Sequence, residues 1–436
     1  MKKFAFIILL LTLSIKLKAQ STYFPPLVGD VWDTISPKSL GWCEQEIEPL
    51  YNYLEQKNTK AFILLKDGKI VLEKYFNSFT KDSTWYWASA GKTLTAFTIG
   101  IAQQDKLLSI SEKSSTYLGT GWTVCNPPQE DKITIRHQLT MTTGLNDGIP
   151  DPFCTLNTCL QYLADAGTRW AYHNGPYNML DKVIEKATGQ SLSTYFTEKV
   201  KNKTGITGIF IPSGYNNIFY SKPRSMARFG LLILNKGNWS GNQVMSDTSY
   251  FNQMVTPSQT LNKSYGYLWW LNGKASYMIP NLQLQFPGPL NQNAPIDMIA
   301  ALGKNGQIIN IVPSKNLVYI RMGDAPGVGE VPILFNDTIW QKLNIIMCNT
   351  NSVHSQTAAN EVKIYPNPAK NNLHIELPHQ HFNIELIDYI GRAMFVQNNC
   401  FNKVDLDIST FQNGYYTVCI KNKEHLLYNK KLIITK

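Results

Sequence analysis

The stretch Trp85–Phe97, "WYWASAGKTLTAF", decides how the chain is read, because it sets small residues and a lysine ahead of an apolar run. Two chemistries compete for it. A phosphate-cradling loop needs G-x-x-x-x-G-K-[ST], so that flexible glycine backbone can close its amides around the phosphates. Position 86 is Tyr86, and Trp85 and Trp87 stand where permissive glycines are required. The nucleotide reading fails. What remains is Ser89 at a helix start with Lys92 one turn on, and residues i and i+3 share a helical face with Cβ atoms about 5–6 Å apart.

A serine hydroxyl is a weak nucleophile that needs a base within reach. The first amides of a helix are unpaired and lie at its positive end, where an oxyanion is stabilised. A lysine near its ordinary value of about 10.4 is charged at neutral pH, so acting as a base requires a fall of about 3 pH units, roughly 4 kcal/mol. Full burial supplies that much. Trp85, Trp87 and Phe97 are placed to exclude water. A tyrosine hydroxyl relaying the proton past a charged Lys92 is the alternative. S-x-x-K recurs at Ser78 and Lys81, but Ser78 lies at the end of a hairpin strand, where i and i+3 point to opposite faces.

Y-x-N, a source for such a tyrosine, occurs at Tyr75, Tyr172, Tyr215, Tyr250 and Tyr365. Tyr172 and Asn174 stand apart, because they occupy a Gly-bounded loop directly before an amphipathic helix in "AGTRWAYHNGPYNMLDKVIEKATG". His137 and His173 are the histidines ahead of residue 348, and His173 adjoins Tyr172. Neither G-x-S-x-G nor H-E-x-x-H occurs, which argues against α/β-hydrolases and zincins.

Around this centre the order is strand pair, helices, strands, helix. "AFILLKDGKIVLEKYF" carries two strand runs about Asp67-Gly68, a strong hairpin signal. Helices fit 41–57, 135–143, 175–188, 223–236 and 332–347, and strands fit 265–271 and 307–322. This is an α+β layout: an antiparallel sheet fed from both ends of the domain, flanked by helices, with a helical insert. Residues 348–361 read as a polar linker, and short alternating runs over 362–436 read as a small C-terminal β-sandwich.

"MKKFAFIILLLTLSIKLKAQ" has the basic start, apolar stretch and small Ala19 of a secretory signal, assigned to 1–19, which leaves 20–347 for the first domain. No other stretch has about 18 apolar residues in a row, so no transmembrane span is expected. The net charge of +10 includes Lys2, Lys3, Lys16 and Lys18, and no Lys/Arg run exceeds two residues, so nucleic acid is a poor partner. The 7 cysteines are an odd set. Export allows disulfides, and Cys154 with Cys159 in "CTLNTC" is the favoured pair, while Cys43 and Cys348 meet if the first and last helices pack antiparallel. The histidines are scattered and no C-x-x-C occurs, so neither a metal nor a cofactor is expected.

"SAGKT", "ITIRHQLTMTTGL", "AGTRWAYHNGPYNMLDKVIEKATG" and "MARFGLLILNKGNWSG" together resemble the β-lactamase-related serine hydrolases. That group holds class C β-lactamases, D-alanyl-D-alanine carboxypeptidases, certain esterases and 6-aminohexanoate-oligomer hydrolases. The resemblance spans about residues 40–345 and implies a β-lactamase/transpeptidase-like fold. It implies Ser89 as acylated nucleophile, Lys92 as its proton partner, Tyr172 as general base and acid, and Asn174 as a polar orienter. The family's third box, Lys-Thr-Gly or His-x-Gly, is not intact, since "DMIAALGKNG" puts Met298, Ile299 and Ala300 there, with the Ala301 amide as second oxyanion donor. The missing cationic or hydroxyl group disfavours β-lactams and peptide carboxylates and favours a small-molecule or peptide ester or amide. Trp85, Trp87, Tyr177, Trp269 and Trp270 are candidate pocket aromatics, with Trp87 and Tyr177 as substrate contacts.

"IYPNPAKNNLHIEL" through "NKKLIITK" resembles a type IX secretion sorting domain, which implies that secretion machinery as a partner and a secreted or cell-surface location. Two other readings stand beside the hydrolase: a non-catalytic surface binding protein of the same fold, and a D-Ala-D-Ala carboxypeptidase or β-lactamase.

Overall fold

The computed structural model describes residues 22–327, 329, 331–348, 362–388, 392–422 and 425–435. Two compact units divide the chain, Met1–Met347 and Cys348–Lys436. The expected signal segment 1–19 and linker residues 349–361 lie outside the described residues.

In chain order the elements that position the site are strands β1 (Thr59–Lys66), β2 (Lys69–Tyr75), β3 (Trp85–Tyr86), β4 (Ile209–Ser213), β5 (Asn216–Ser221), β6 (Trp270–Leu271), β7 (Ile299–Gly303), β8 (Gln307–Val312) and β9 (Leu317–Gly323). The helices are α1 (Ile47–Gln56), α2 (Lys92–Gln104), α3 (Leu180–Thr188), α4 (Pro223–Leu234) and α5 (Ile333–Ile346). Asp67 and Gly68 have φ of 50° and 80°, the positive pair that a tight Asp-Gly hairpin turn demands between β1 and β2. β1 then pairs with β9 from the far end of the unit, Ile63 opposite Ile320. The result is a six-stranded antiparallel sheet in the order β2-β1-β9-β8-β7-β6.

β8 and β9 are buried throughout, so helices cover both faces. On one face α4 comes so close that a Cβ at Gly230 would lie 2.5 Å from Val318 Cγ1, a contact only glycine allows. On the other, Trp340 of α5 donates its indole N–H to Asn310 at 2.9 Å, and the Tyr319 hydroxyl reaches Asn336. Alternation of Val318 and Tyr319 along β9 is what sends them to opposite sides. α2 is buried from Lys92 to Ala102, a core helix rather than a surface one.

Several expected elements are shorter. Residues 41–57 form a 3-10 turn, Glu44–Glu46, before α1, and 135–143 yields only Ile135–Leu139. The stretch 175–188 splits into a short helix Asn174–Asn178 and α3. Of 265–271 only Trp270–Leu271 pairs as a strand, because Leu268 takes φ 61° and breaks the extended run.

The second unit is a five-stranded antiparallel sheet. Its longest strand, Asn372–Asp388, shifts register three times against Ala393–Asp407, so the sheet curls and wraps a core that includes Leu373, Ile375, Leu386 and Val418, consistent with a small β-sandwich. Asn367 of the Y-P-N-P segment donates to the Lys431 carbonyl at 2.7 Å and accepts from the Ile433 amide at 2.9 Å, tying the start of the unit to its last strand.

Candidate active site

Strand β3 delivers the serine. It pairs with β5, Trp85 opposite Ser221, and the Trp87 amide donates to the Phe219 carbonyl at 2.9 Å. Ala88 then takes φ 46°, a strained value for a residue with a Cβ, and this reversal opens the 3-10 turn Ala88–Gly91. Ser89 sits on that turn, half-buried, while α2 begins at Lys92 beneath it. The expected helix start is therefore a tighter turn that leads into the helix.

Lys92 is 5% exposed. Among the described residues no carboxylate lies within ion-pair distance of it. Its ammonium position is 3.7 Å from the centre of the Tyr177 ring and 5.7 Å from that of Tyr172. Burial drives its proton affinity down to about 7, against the opposing charge of Asp181. A cation over an aromatic face gains about 2 kcal/mol when desolvated, whereas full burial costs a charge roughly 4–7 kcal/mol, so burial wins. Tyr177 is held by a 3.1 Å hydrogen bond between its hydroxyl and that of Thr95, one turn beyond Lys92 on α2.

Tyr172 is half-buried, and its ring lies nearly parallel to Trp270 of β6, 6.1 Å between centres and 15° between planes. Trp170 and Tyr265 pack edge-on to Trp270, closing an aromatic box around Tyr172. The loop before it is fixed by the Ala171 amide on the Met141 carbonyl at 2.9 Å, and elsewhere a disulfide joins Cys154 and Cys159. Cys43 and Cys348 are also disulfide-bonded, and Cys125, Cys400 and Cys419 are free thiols. Asn174 is 9% exposed, and its Oδ1 is buried without a hydrogen-bond partner, an acceptor left open beside the site. His173 is buried and kept neutral, its proton affinity lowered to about 4 by burial against the pull of Asp147.

The structure thus gathers Lys92, Tyr172 and Tyr177, with Ser89 one turn from Lys92. Trp87, expected as a substrate contact, is instead core: it is fully buried, its indole N–H is bonded to Ser221 Oγ at 2.8 Å, and its ring packs edge-on to Phe219. Ala301 is on β7, where expected, but that strand meets the serine turn two residues further on. A Cβ at Gly303 would fall 2.5 Å from the Trp87 carbonyl oxygen and 2.9 Å from the Ala90 nitrogen. The next turn is anchored too. Buried Arg321 donates to the carbonyls of Asn305 and Gly306 at 2.7 and 3.1 Å, and Asn305 donates to the Tyr86 hydroxyl at 2.7 Å.

Asp181 was not anticipated. Its only trace in the sequence is its position four residues after Tyr177, one helical turn along the same motif. Asn217 of β5 donates to it at 2.9 Å. Burial lifts its proton affinity to about 6, against the Asn217 hydrogen bond and the charge of Lys92.

Among the described residues no group of three His, Cys, Asp or Glu side chains is placed to hold a metal ion, and no helix is long and apolar enough to cross a membrane. An apolar cavity of about 530 Å³, lined by Tyr53, Tyr277, Phe286, Val331 and Phe335 among others, has none of Ser89, Lys92 and Tyr172 in its walls.

Residues 54–326 match the family described as Beta-lactamase, and the chain belongs to that family. Residues 363–435 match the Secretion system C-terminal sorting domain, which marks the protein for type IX secretion and cell-surface attachment. An uncharacterised protein of Alkalihalophilus pseudofirmus is 25% identical over 309 residues, 62% of this chain and 85% of its own. A Bacillus anthracis structure provisionally named as a 6-aminohexanoate-dimer hydrolase aligns at TM-score 0.57 and 18% identity, over 76% of this chain and 90% of its own. A family VIII carboxylesterase aligns at TM-score 0.51 and 13% identity, over 69% and 98%. At such identities the two structures share a fold with this chain.

Proposed function

We propose that the protein is an exported serine hydrolase that acylates Ser89 with an ester or amide substrate and releases the acyl group with water. The observation that carries this reading is a buried amine, Lys92, one turn from a half-buried serine and 5.7 Å from the centre of the Tyr172 ring, in a setting where burial pushes its pKa down to about 7. In the first half-reaction Ser89 Oγ attacks the carbonyl carbon while its proton passes to neutral Lys92, directly or through the Tyr172 phenol. The carbonyl electron pair moves onto oxygen, where amides of the Ser89 turn and of the Ala301–Gly303 edge are the candidate donors. Collapse expels the alcohol or amine, which takes the proton. Water repeats the sequence on the acyl-enzyme, giving the acid and restoring the serine.

The residues Ile299–Gly303 offer neither a cationic nor a hydroxyl side chain to a substrate carboxylate. That supports a neutral ester or amide over a β-lactam or a stem peptide. The carboxylesterase and 6-aminohexanoate-dimer hydrolase names among the structural relatives fit ester and amide bonds respectively. A fluorophosphonate probe on the mature protein should label Ser89, and Ser89→Ala should abolish both labelling and turnover of p-nitrophenyl esters. Undiminished turnover in that variant rejects the reading; no labelling and no turnover leave a surface binding protein.

A further inference from the structure

We infer that the apolar cavity between α1, α5 and the hairpin at 276–287 is a binding site for a free monocarboxylate with an apolar chain, its carboxylate meeting Lys57 and its chain lying among Tyr53, Tyr277, Phe286 and Phe335. This goes beyond the proposed hydrolase activity and does not depend on it.

The walls come from segments far apart in the chain. Phe286 pairs opposite Tyr277 across the short hairpin, and their rings stack with centres 5.3 Å apart and planes 20° apart. Tyr53 of α1 meets Phe335 of α5, 6.0 Å between ring centres. Aromatic pairs of this kind fix one another's orientation, so the walls stand ready for a guest. The cavity of about 530 Å³ falls within the range of roughly 300–1,000 Å³ for small-molecule sites. Leu334, exposed to solvent, carries the apolar lining out to the mouth. A guest rich in hydrogen-bonding groups would lose its bonds to water there without replacement.

The charge around the cavity has one sign. Lys57 is half-buried in its wall, and among the described residues no carboxylate lies within ion-pair distance of its ammonium. Lys57 and Lys342 stand 5.9 and 5.0 Å from the centre of the Tyr53 ring. Behind Phe335, 5.1 Å from its ring centre, lies the buried Arg321 guanidinium. Its five N–H groups are spent on neutral acceptors: Thr59 Oγ1 and the carbonyls of Asn305, Gly306, Lys57 and Asp324. The Asp324 carboxylate pairs with Lys60 instead, at 3.0 Å. On the hairpin side the nearby acid is Asp337, and Asn293 donates to both of its oxygens at 2.8 and 2.7 Å. Cations gathered on low-dielectric walls focus a positive potential into a cleft, which an anionic head satisfies and a neutral one does not.

The cavity also backs onto the serine turn. Gly303 abuts Trp87 and Ala90, and three residues on Gly306 is cavity wall, held by the Arg321 bond to its carbonyl. A guest therefore lies against the far end of the segment that touches the Ser89 turn.

The experiment uses full-length mature protein with octanoate as probe and 1-octanol as its uncharged comparator. Calorimetric titration gives affinity, and a diazirine-bearing octanoic acid followed by peptide mapping gives the place. Octanoate should bind one per chain with crosslinks on α5 or on 276–287, and 1-octanol should bind about fivefold or more weakly. Lys57→Glu should weaken octanoate by about tenfold or more while 1-octanol stays within about twofold, which also shows the cavity intact. Thr338→Trp, which sends an indole into the cavity from α5, should weaken both by about tenfold or more. No saturable binding, crosslinks confined to residues outside the cavity walls, or equal affinity for acid and alcohol overturns the inference. So does octanoate binding that is unchanged in both variants.

Discussion

The Lys92 amine lies 3.7 Å above the centre of the Tyr177 ring, and the Tyr177 hydroxyl is tied back to Thr95 on the helix that carries the lysine. The ring is therefore part of the lysine's solvent shield and also its closest source of cation stabilisation. Tyr177→Phe keeps the face and loses one hydroxyl pair, so labelling of Ser89 should stay within about threefold of wild type. Tyr177→Leu removes the face. Its Lys92 midpoint should drop, by up to about 1.5 pH units for a cation–π contact of about 1–2 kcal/mol, readable by NMR titration of a 13Cε-labelled Lys92.

Tyr172 differs in kind, because its ring stacks on Trp270 while its hydroxyl is the proposed proton relay. Tyr172→Phe preserves the stack. Turnover of a p-nitrophenyl ester should fall by roughly 10²–10⁴, the range for a lost general acid–base group, with unfolding temperature unmoved. A drop in both would assign the hydroxyl to folding.

Lys92 makes stability depend on pH. The unfolded chain binds its proton up to about 10.4, whereas the folded site releases it near 7. Between those values the unfolded state holds more protons, so stability rises with pH across the window, and the cost of the buried cation is fully felt below it. Lys92→Met should be more stable than wild type by roughly 2–4 kcal/mol at pH 6, and the gap should close toward pH 10. Urea unfolding at several pH values measures this.

His173 gives a second window, on the acid side. Its proton affinity is down at about 4 in the fold and near 6.5 when unfolded. Stability is therefore lost as pH falls from about 6.5 toward 4, worth roughly 2 kcal/mol at pH 5. In His173→Leu that loss should be absent when unfolding free energies at pH 8 and pH 5 are compared.

Gly303 is the point where sheet and serine turn touch. Gly303→Ala puts a methyl 2.5 Å from the Trp87 carbonyl oxygen, and backbone cannot yield as a side-chain tip would. Labelling of Ser89 should be lost or fall at least tenfold, with a stability cost of about 1–3 kcal/mol from overpacking. Gly327→Ala, with open space around its Cβ, is the matched control.

Much of the frame was legible because it is written in local pattern. Asp67-Gly68 announces its hairpin, since few residue pairs tolerate two positive φ values. Ser89 and Lys92 are read from adjacency to an apolar run, and Tyr172 from a loop that precedes an amphipathic helix. Trp87 misled for a physical reason: an aromatic beside a motif packs inward or lines a cavity with the same sequence, and here Phe219 from a distant strand took its face. The meeting point of β7 with the serine turn was legible only as a strand, because the close approach at Gly303 depends on a partner some 200 residues away in the chain.

Sequence alone determined the two-part plan, the antiparallel sheet fed from both ends, the nucleophile candidate with its lysine, and the sorting tail. The first three follow from spacing, turn chemistry and composition, which are properties of neighbouring residues, and the sorting tail follows from the resemblance of its motifs to type IX secretion sorting domains. Tertiary structure alone decided the burial of Lys92 against the Tyr177 ring, the stacking of Tyr172 on Trp270, and the hydrogen bond from Asn217 to Asp181. Burial and field at a point are sums over segments that the chain brings together only by folding, so no local pattern can carry them.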